Sequence, residues 1–342
     1  MKTMSLLTII TMSFLSLFSC KKDENNSSNN VAPINLTVNA TVSTDSSGNV
    51  AFVASATNAT SYDYDYGDGT FATVPSGVSN YKYSTSGTYS VNVIAKNASG
   101  LPTSKSIQVT VKVVTSVFWS EEFNTDGAPD PSKWGNNLGG GGWGNNELQY
   151  YTARPENAIV QGGVLKIKLI KESYNGSNYT SARLISKNKF AFKYGKVDIM
   201  AKLPAGGGTW PALWMLGSDI DVNTWPACGE IDIMEHKGNE LNKIYGTLHY
   251  PGRFGGNGNG GTTTIANATT QFHKYSLDWS ATAIKIYVDD VLFHTVANSN
   301  AIPFNHDFFF ILNVAMGGDF GGAVDPNVAG ATMEVDYIRV YK

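Results

Sequence analysis

The chain has 342 residues and a formal net charge of −3, with no long block of like charge, which excludes nucleic acid and an anionic membrane surface as expected partners. Two cysteines leave little scope for disulfide stapling, and five histidines show no ligand spacing, so a catalytic transition metal or other catalytic cofactor is not expected. With 12% aromatics and 35 glycines, the composition suits strands joined by tight turns around a sizeable core.

Lys2 precedes an apolar run from Leu6 to Phe18, too short to span a bilayer and stay there, so residues 1–19 read as an export signal. Its end, Leu17-Phe18-Ser19-Cys20, resembles the lipoprotein signal box, although Phe18 is bulkier than usual there. The resemblance implies cleavage before Cys20 and lipid attachment to its sulfur. Lys21-Lys22-Asp23-Glu24 resembles the charged export tag of bacterial surface lipoproteins. The expectation is a bacterial outer-membrane lipoprotein, at the cell surface or facing the periplasm; the alternative is a secreted protein with an incidental cysteine. Only Cys228 then remains, so no intramolecular disulfide can form. Residues 20–33 carry no apolar periodicity and read as a flexible tether.

From residue 34 to 114, short alternating segments such as VNATVST, VAFVAS, YSVNVIA and SIQVTV are separated by Ser-Gly turns, which predicts a small β-sandwich. The segments SYDYDYGDGTF at 61–71 and YKYSTSGTYSVNVIAKN at 81–97 resemble the polycystic-kidney-disease (PKD) repeat, an immunoglobulin-like module. Asp63, Asp65 and Asp68 do not make an EF-hand, because Gly67 and Val74 stand where ligands are needed. All seven tryptophans lie beyond residue 116, so this module reads as a spacer.

Residues 117–342 alternate again, in VLKIKLI, KVDIMAKL, YSLDWS, AIKIYVDDVLF, FFFILNVAM and MEVDYIRVYK, with no helical run of any length. One large all-β domain of two packed sheets is predicted, curved to leave a concave cleft for an extended polymer. Within it, GEIDIMEH at 229–236 sets three carboxylates on one short strand. Strict alternation puts Glu230 and Asp232 on one face and Glu235 on the other. A one-residue bulge around Ile233 and Met234 brings Glu235 back to their side, a use of bulges known beside active sites.

Three like charges on one face repel and are a poor choice for a purely structural strand. Glycoside hydrolysis uses such a set: one carboxylate attacks the anomeric carbon while a protonated partner about 5–5.5 Å away donates to the leaving oxygen. Glu230 and Glu235 suit these roles, and Asp232 between them raises the pKa of the acid that must stay protonated. The bland alternative is a solvated acidic strand. Trp210, Trp214 and Trp225 precede the acids in sequence, and Trp143 follows four glycines with Asn145, Asn146 and Gln149 as a polar rim. Flat indoles with amide and guanidinium neighbours grip the C–H face and polar edge of a pyranose. Trp119, Trp134 and Trp279 lie in apolar or strand-like settings and are assigned to the core.

These segments, together with SEEFN, WGNNELQYYT, TWPALWMLG, GTLHY, ILNVAMGGDFGG and VDYIRVYK, resemble glycoside hydrolase family 16, and within it the laminarinase group, over nearly all of 117–342. The resemblance implies a β-jelly roll and a retaining endo-hydrolase of β-1,3-glucan, with Glu230 the nucleophile, Asp232 assisting and Glu235 the acid/base. It implies sugar contacts at Trp143, Asn145, Arg183, Trp210, Trp214, Trp225 and His249. Many members hold one structural calcium ion far from the cleft through backbone oxygens and an aspartate; Glu122, Gly163 and Asp336 match those positions. Alternatives are the same mechanism on mixed-linkage glucan or a marine galactan, and a catalytically silent glucan-binding protein. A monomer is expected.

Overall fold

The computed structural model describes residues 31–45, 47–113 and 116–342. The export signal, Cys20 and most of the tether lie outside the described residues. The chain divides into two compact units, residues 1–114 and 115–342.

The first unit is a small β-sandwich. Strands Ile34–Val42, Asn49–Thr57 and Val78–Lys82 form one sheet, and Phe71–Val74, Ser61–Asp65, Gly87–Lys96 and Pro102–Val111 form the other. Alternate residues face inward to a core of Phe52, Tyr64, Tyr83, Val91 and Val93, all essentially sealed from water. Its tyrosines stack in sequence, with Tyr66 lying parallel on Tyr81 at 3.9 Å and Tyr83 on Tyr89 at 4.0 Å. Rings used in this way are core, in keeping with a module that presents no tryptophan platform.

The second unit packs a ten-stranded sheet on a seven-stranded one. The seven-stranded sheet runs in the order Asn259–Thr264, Lys243–His249, Glu230–His236, Thr209–Gly217, Phe308–Met316, Arg183–Ile185 and Gly135–Asn136. Its inner face contributes Leu213, Met215, Ile231, Ile244 and Leu312, which share one core with Val197, Ile199, Leu277 and Ile286 of the ten-stranded sheet. Each such side chain stabilises the fold by about 1.5–3 kcal/mol on burial. Trp134 and Trp279 are core residues, and Trp119 stacks on Phe190 at 4.3 Å. The segment read as AIKIYVDDVLF is a hairpin, not one strand. Ala283–Val288 and Val291–Ala297 are joined by Asp289 and Asp290, both with positive φ, as a two-residue turn between twisted strands requires.

Candidate active site

Cross-strand register shows how the acids come to share a face. Leu216 pairs with Glu230, Met215 with Ile231 and Trp214 with Asp232; then Leu213 pairs with Met234 and Ala212 with Glu235. Ile233 has no partner and is the extra residue of a bulge. On the other side, Asp232 faces Thr247 and Glu235 faces Tyr245, so two residues oppose Gly246 alone. Ile233 and Met234 are both fully buried, and the parity reset turns Glu235 to the side of Glu230 and Asp232. A Cβ on Gly246 would stand 2.9 Å from Phe293 Cζ and 3.0 Å from Ile286 Cδ1. The glycine therefore lets Phe293 and Ile286 of the other sheet approach the backbone opposite the bulge.

The acids lie in a cleft whose wall includes Trp143, Arg183, Trp210, Trp214 and Trp225. Asp232 is 3% and Glu235 8% exposed, while the Glu230 side chain keeps 17%. The Trp210 indole N–H donates to Glu235 Oε1 at 2.9 Å. His249 Nε2 stands 3.2 Å from Asp232 Oδ2 and 3.7 Å from Glu230 Oε1; the Asp232 oxygen has no well-aligned hydrogen-bond donor. Burial, and then the neighbouring Asp232 charge, raises Glu235 to a pKa of about 8, against the opposing pull of His249 and the Trp210 bond. Burial and Asp232 likewise push Glu230 above the usual carboxylate range, with His249 and Arg183 acting in the other direction. Burial alone pushes Asp232 up.

Across the cleft, the Arg183 guanidinium lies between two indoles, 4.7 Å from the Trp143 ring centroid and 4.8 Å from that of Trp214. Trp143 adopts φ 49° in the glycine-rich loop and donates its indole N–H to Gly139 O at 3.1 Å. Trp225 is 41% exposed at the Glu230 end, with Phe254 packed edge-on at 5.5 Å. Every tryptophan and arginine expected to touch sugar thus lines one cleft. Asn145 lines it too, but its amide donates to Glu147 Oε1 at 3.2 Å. Gln149 is not on the rim; it is fully buried, with its side chain serving Glu147 and the Met316 backbone. Glu147 and Asn313, both lining the cleft, escaped sequence reading, because an acid in a polar loop and an asparagine in an apolar strand carry no local signal of their own.

Of the residues matched to a calcium site, Asp336 and Glu122 lie beside a gap in the ten-stranded sheet. The C-terminal strand Gly330–Tyr341 pairs with Leu165 at Val335 and with Glu121 at Ile338. Asp336 falls between these two partners and is an extra residue opposite Met200–Ala201. The Glu122 carboxylate is committed to Arg339, which donates at 3.0 and 2.8 Å, so an ion there would take the Glu122 backbone oxygen. Asp336 enters no ion pair among the described residues. One uncommitted carboxylate with backbone carbonyls is a donor set that suits a hard cation.

Residues 145–339 match the profile of glycosyl hydrolases family 16, and the chain belongs to that family. A second profile, for the β-glucan synthesis-associated proteins SKN1/KRE6/Sbg1, matches residues 52–221 and stops short of the acids. A β-glucanase of Rhodothermus marinus is 45% identical over 240 residues, covering 66% of this chain and 84% of its own. A glucan endo-1,3-β-glucosidase of Cryptopygus antarcticus is 37% identical over 246 residues, covering 65% and 90%. The solved laminarinase of Rhodothermus marinus superimposes with a TM-score of 0.64 at 43% identity, covering 67% of this chain and 98% of that one.

Proposed function

We propose that the chain is a retaining endo-hydrolase of laminarin-type β-1,3-glucan, with Glu230 as nucleophile and Glu235 as general acid, then base. The observation that carries this reading is the bulge at Ile233, through which Glu230, Asp232 and Glu235 share one face of an aromatic-lined cleft. Three neighbouring carboxyls do not all ionise together. Glu230 is the most exposed and has Arg183 and His249 acting to lower its pKa, so it is the member assigned the charge. Glu235, held up to about 8, keeps its proton at neutral pH.

In the first step a Glu230 oxygen attacks the anomeric carbon, the glycosidic C–O bond breaks and Glu235 gives its proton to the departing oxygen. A glycosyl ester on Glu230 results. Glu235, now a carboxylate, takes a proton from water as that water attacks the ester, which returns Glu230 as carboxylate and the sugar as its β-anomer. Asp232 and His249 lie beside the nucleophile, His249 Nε2 3.7 Å from Glu230 Oε1 and 3.2 Å from Asp232 Oδ2. The β-1,3-glucan assignment is supported by the named activities of the similar proteins and by indole surfaces suited to a neutral sugar chain.

Incubation with laminarin, lichenan and agarose, with products resolved and their anomers followed by NMR, tests the assignment. Laminari-oligosaccharides released first as β-anomers are expected. Products from lichenan or agarose alone would move the substrate to another linkage, and binding without products would leave a glucan-binding protein. The same proposal includes lipid anchoring at Cys20, supported by the signal-box sequence, and a structural calcium ion at Glu122, Gly163 and Asp336, supported by the free Asp336 carboxylate at the sheet gap. When bound, that ion would tie the two partner strands at the gap; no step of the hydrolysis runs through it.

A further inference from the structure

Two donors whose direction is beyond doubt feed a chain of buried hydrogen bonds behind the cleft wall. An indole N–H can only donate, so Trp214 Nε1, 2.7 Å from Asn313 Oδ1, fixes which side of the Asn313 amide faces it. The Asn313 NH2 then points away and donates to the Tyr151 hydroxyl oxygen at 3.0 Å. With its oxygen accepting, Tyr151 passes its own proton to Glu147 Oε2 at 3.0 Å. The second chain begins at the Met316 backbone N–H, which donates to Gln149 Oε1 at 2.8 Å and so turns the Gln149 NH2 toward the same Glu147 oxygen, at 2.6 Å. Both chains run one way and end on Glu147.

We infer that Glu147 and Tyr151 are positioning residues that hold the Trp214 indole, and with it the stacked Arg183, as a sugar-binding wall through this one-way relay. The inference deepens the proposed hydrolysis and rests on that reading for its ligand, a β-1,3-glucan. The Glu147 carboxylate supplies the acceptor end that neutral amides and hydroxyls would leave ambiguous. Its charge also faces the buried Arg183 guanidinium, as does that of Glu230, while Asp232 and Glu235 lie beyond on the acidic strand. The relay makes no hydrogen bond to the reacting carboxyls: Glu235 is held by Trp210, not by Trp214.

If the Tyr151 hydroxyl is removed, the Asn313 NH2 loses the acceptor that ties it to Glu147. With that anchor gone, the amide and the indole it accepts from are no longer pinned to the Glu147 end, and the indole is free to leave Arg183. Ground-state and transition-state binding of the glucan should weaken together while chemistry at Glu230 and Glu235 continues, so KM rises and kcat stays. A residue that served only folding would lower Tm and the active fraction, reducing kcat at unchanged KM.

The test is a cycle of Tyr151→Phe, Trp214→Phe and the double variant on laminarin, with Tm measured for each. Tyr151→Phe should raise KM about tenfold with kcat within about threefold, and adding it to Trp214→Phe should change KM less than about twofold, because the relay then has nothing to position. Wild-type kinetics in Tyr151→Phe, a fall in kcat alone, or effects that multiply in the double variant would overturn the inference. The 15N-resolved indole N–H resonance of Trp214, assigned by its loss in Trp214→Phe, gives a substrate-free arm. It should shift in Tyr151→Phe, and an unmoved resonance counts against the relay even if laminarin proves not to be the substrate. Failure of the wild type to cleave laminarin, with the resonance shifted, would sink the substrate reading and leave the relay standing.

Discussion

In the role proposed for it, Glu235 is a general acid held under conditions that cost the fold. In an unfolded chain its carboxyl titrates near 4.5, whereas in the cleft burial and Asp232 hold it at about 8. Between these values the folded state keeps a proton that the unfolded state has released, so the stabilising linkage is complete below about 4.5 and is lost as pH rises to about 8. Glu235→Gln should therefore flatten the decline of stability between pH 5 and 8, by on the order of a few kcal/mol at pH 8. Urea unfolding at both pH values checks this; parallel wild-type and variant curves would contradict it. As the proposed general acid, the same group should set the alkaline limb of kcat/KM. Activity should fall about tenfold per pH unit above about 8, as the general acid loses its proton.

At the scale of elements, the acidic strand was the most legible part of the sequence. GEIDIMEH has three acids whose parity fails by one residue, and a bulge is the local device that repairs it. Period-two alternation also gave the major strands, because each sheet has one face toward the core. What alternation could not show was the response of neighbours. Gly246 on the partner strand stands opposite the bulge and admits Phe293 and Ile286 close to its backbone, and this needs the cross-strand register. Nor could it show that Asp289 and Asp290 turn a continuous β-prone run into a hairpin, since two acids in a strand-like segment read equally well as an exposed edge. Gly246→Ala should overpack the site behind the bulge and cost about 1–3 kcal/mol. The midpoint of urea unfolding measures it, and an unchanged midpoint would mean that the bulge does not depend on that space.

For the molecule as a whole, two separate cores predict two separate stabilities. The first unit is held by stacked tyrosines and valines, and the second by a sandwich core rich in Phe, Ile, Leu and Trp279. Thermal unfolding should show two transitions, and removal of residues 1–114 should eliminate one while leaving kcat on soluble laminarin within about twofold. A single transition, or loss of kcat in the shortened chain, would argue that the units act as one. The division into a small and a large β-unit was readable from turn spacing and from the placement of every tryptophan beyond residue 116. The relay through Glu147, Tyr151 and Asn313 was not, because its members lie up to 166 positions apart in the chain and meet only when the sheet closes.

The assignment of Glu230 and Glu235 is tested most directly by azide rescue on an aryl β-1,3-linked glucoside. With Glu230→Ala, azide takes the place of the nucleophile, displaces the leaving group once and should give the α-glycosyl azide. With Glu235→Ala, azide replaces water on the Glu230 ester and should give the β-glycosyl azide. The opposite pairing of anomers, or the same anomer from both variants, would contradict the roles drawn from the bulged strand.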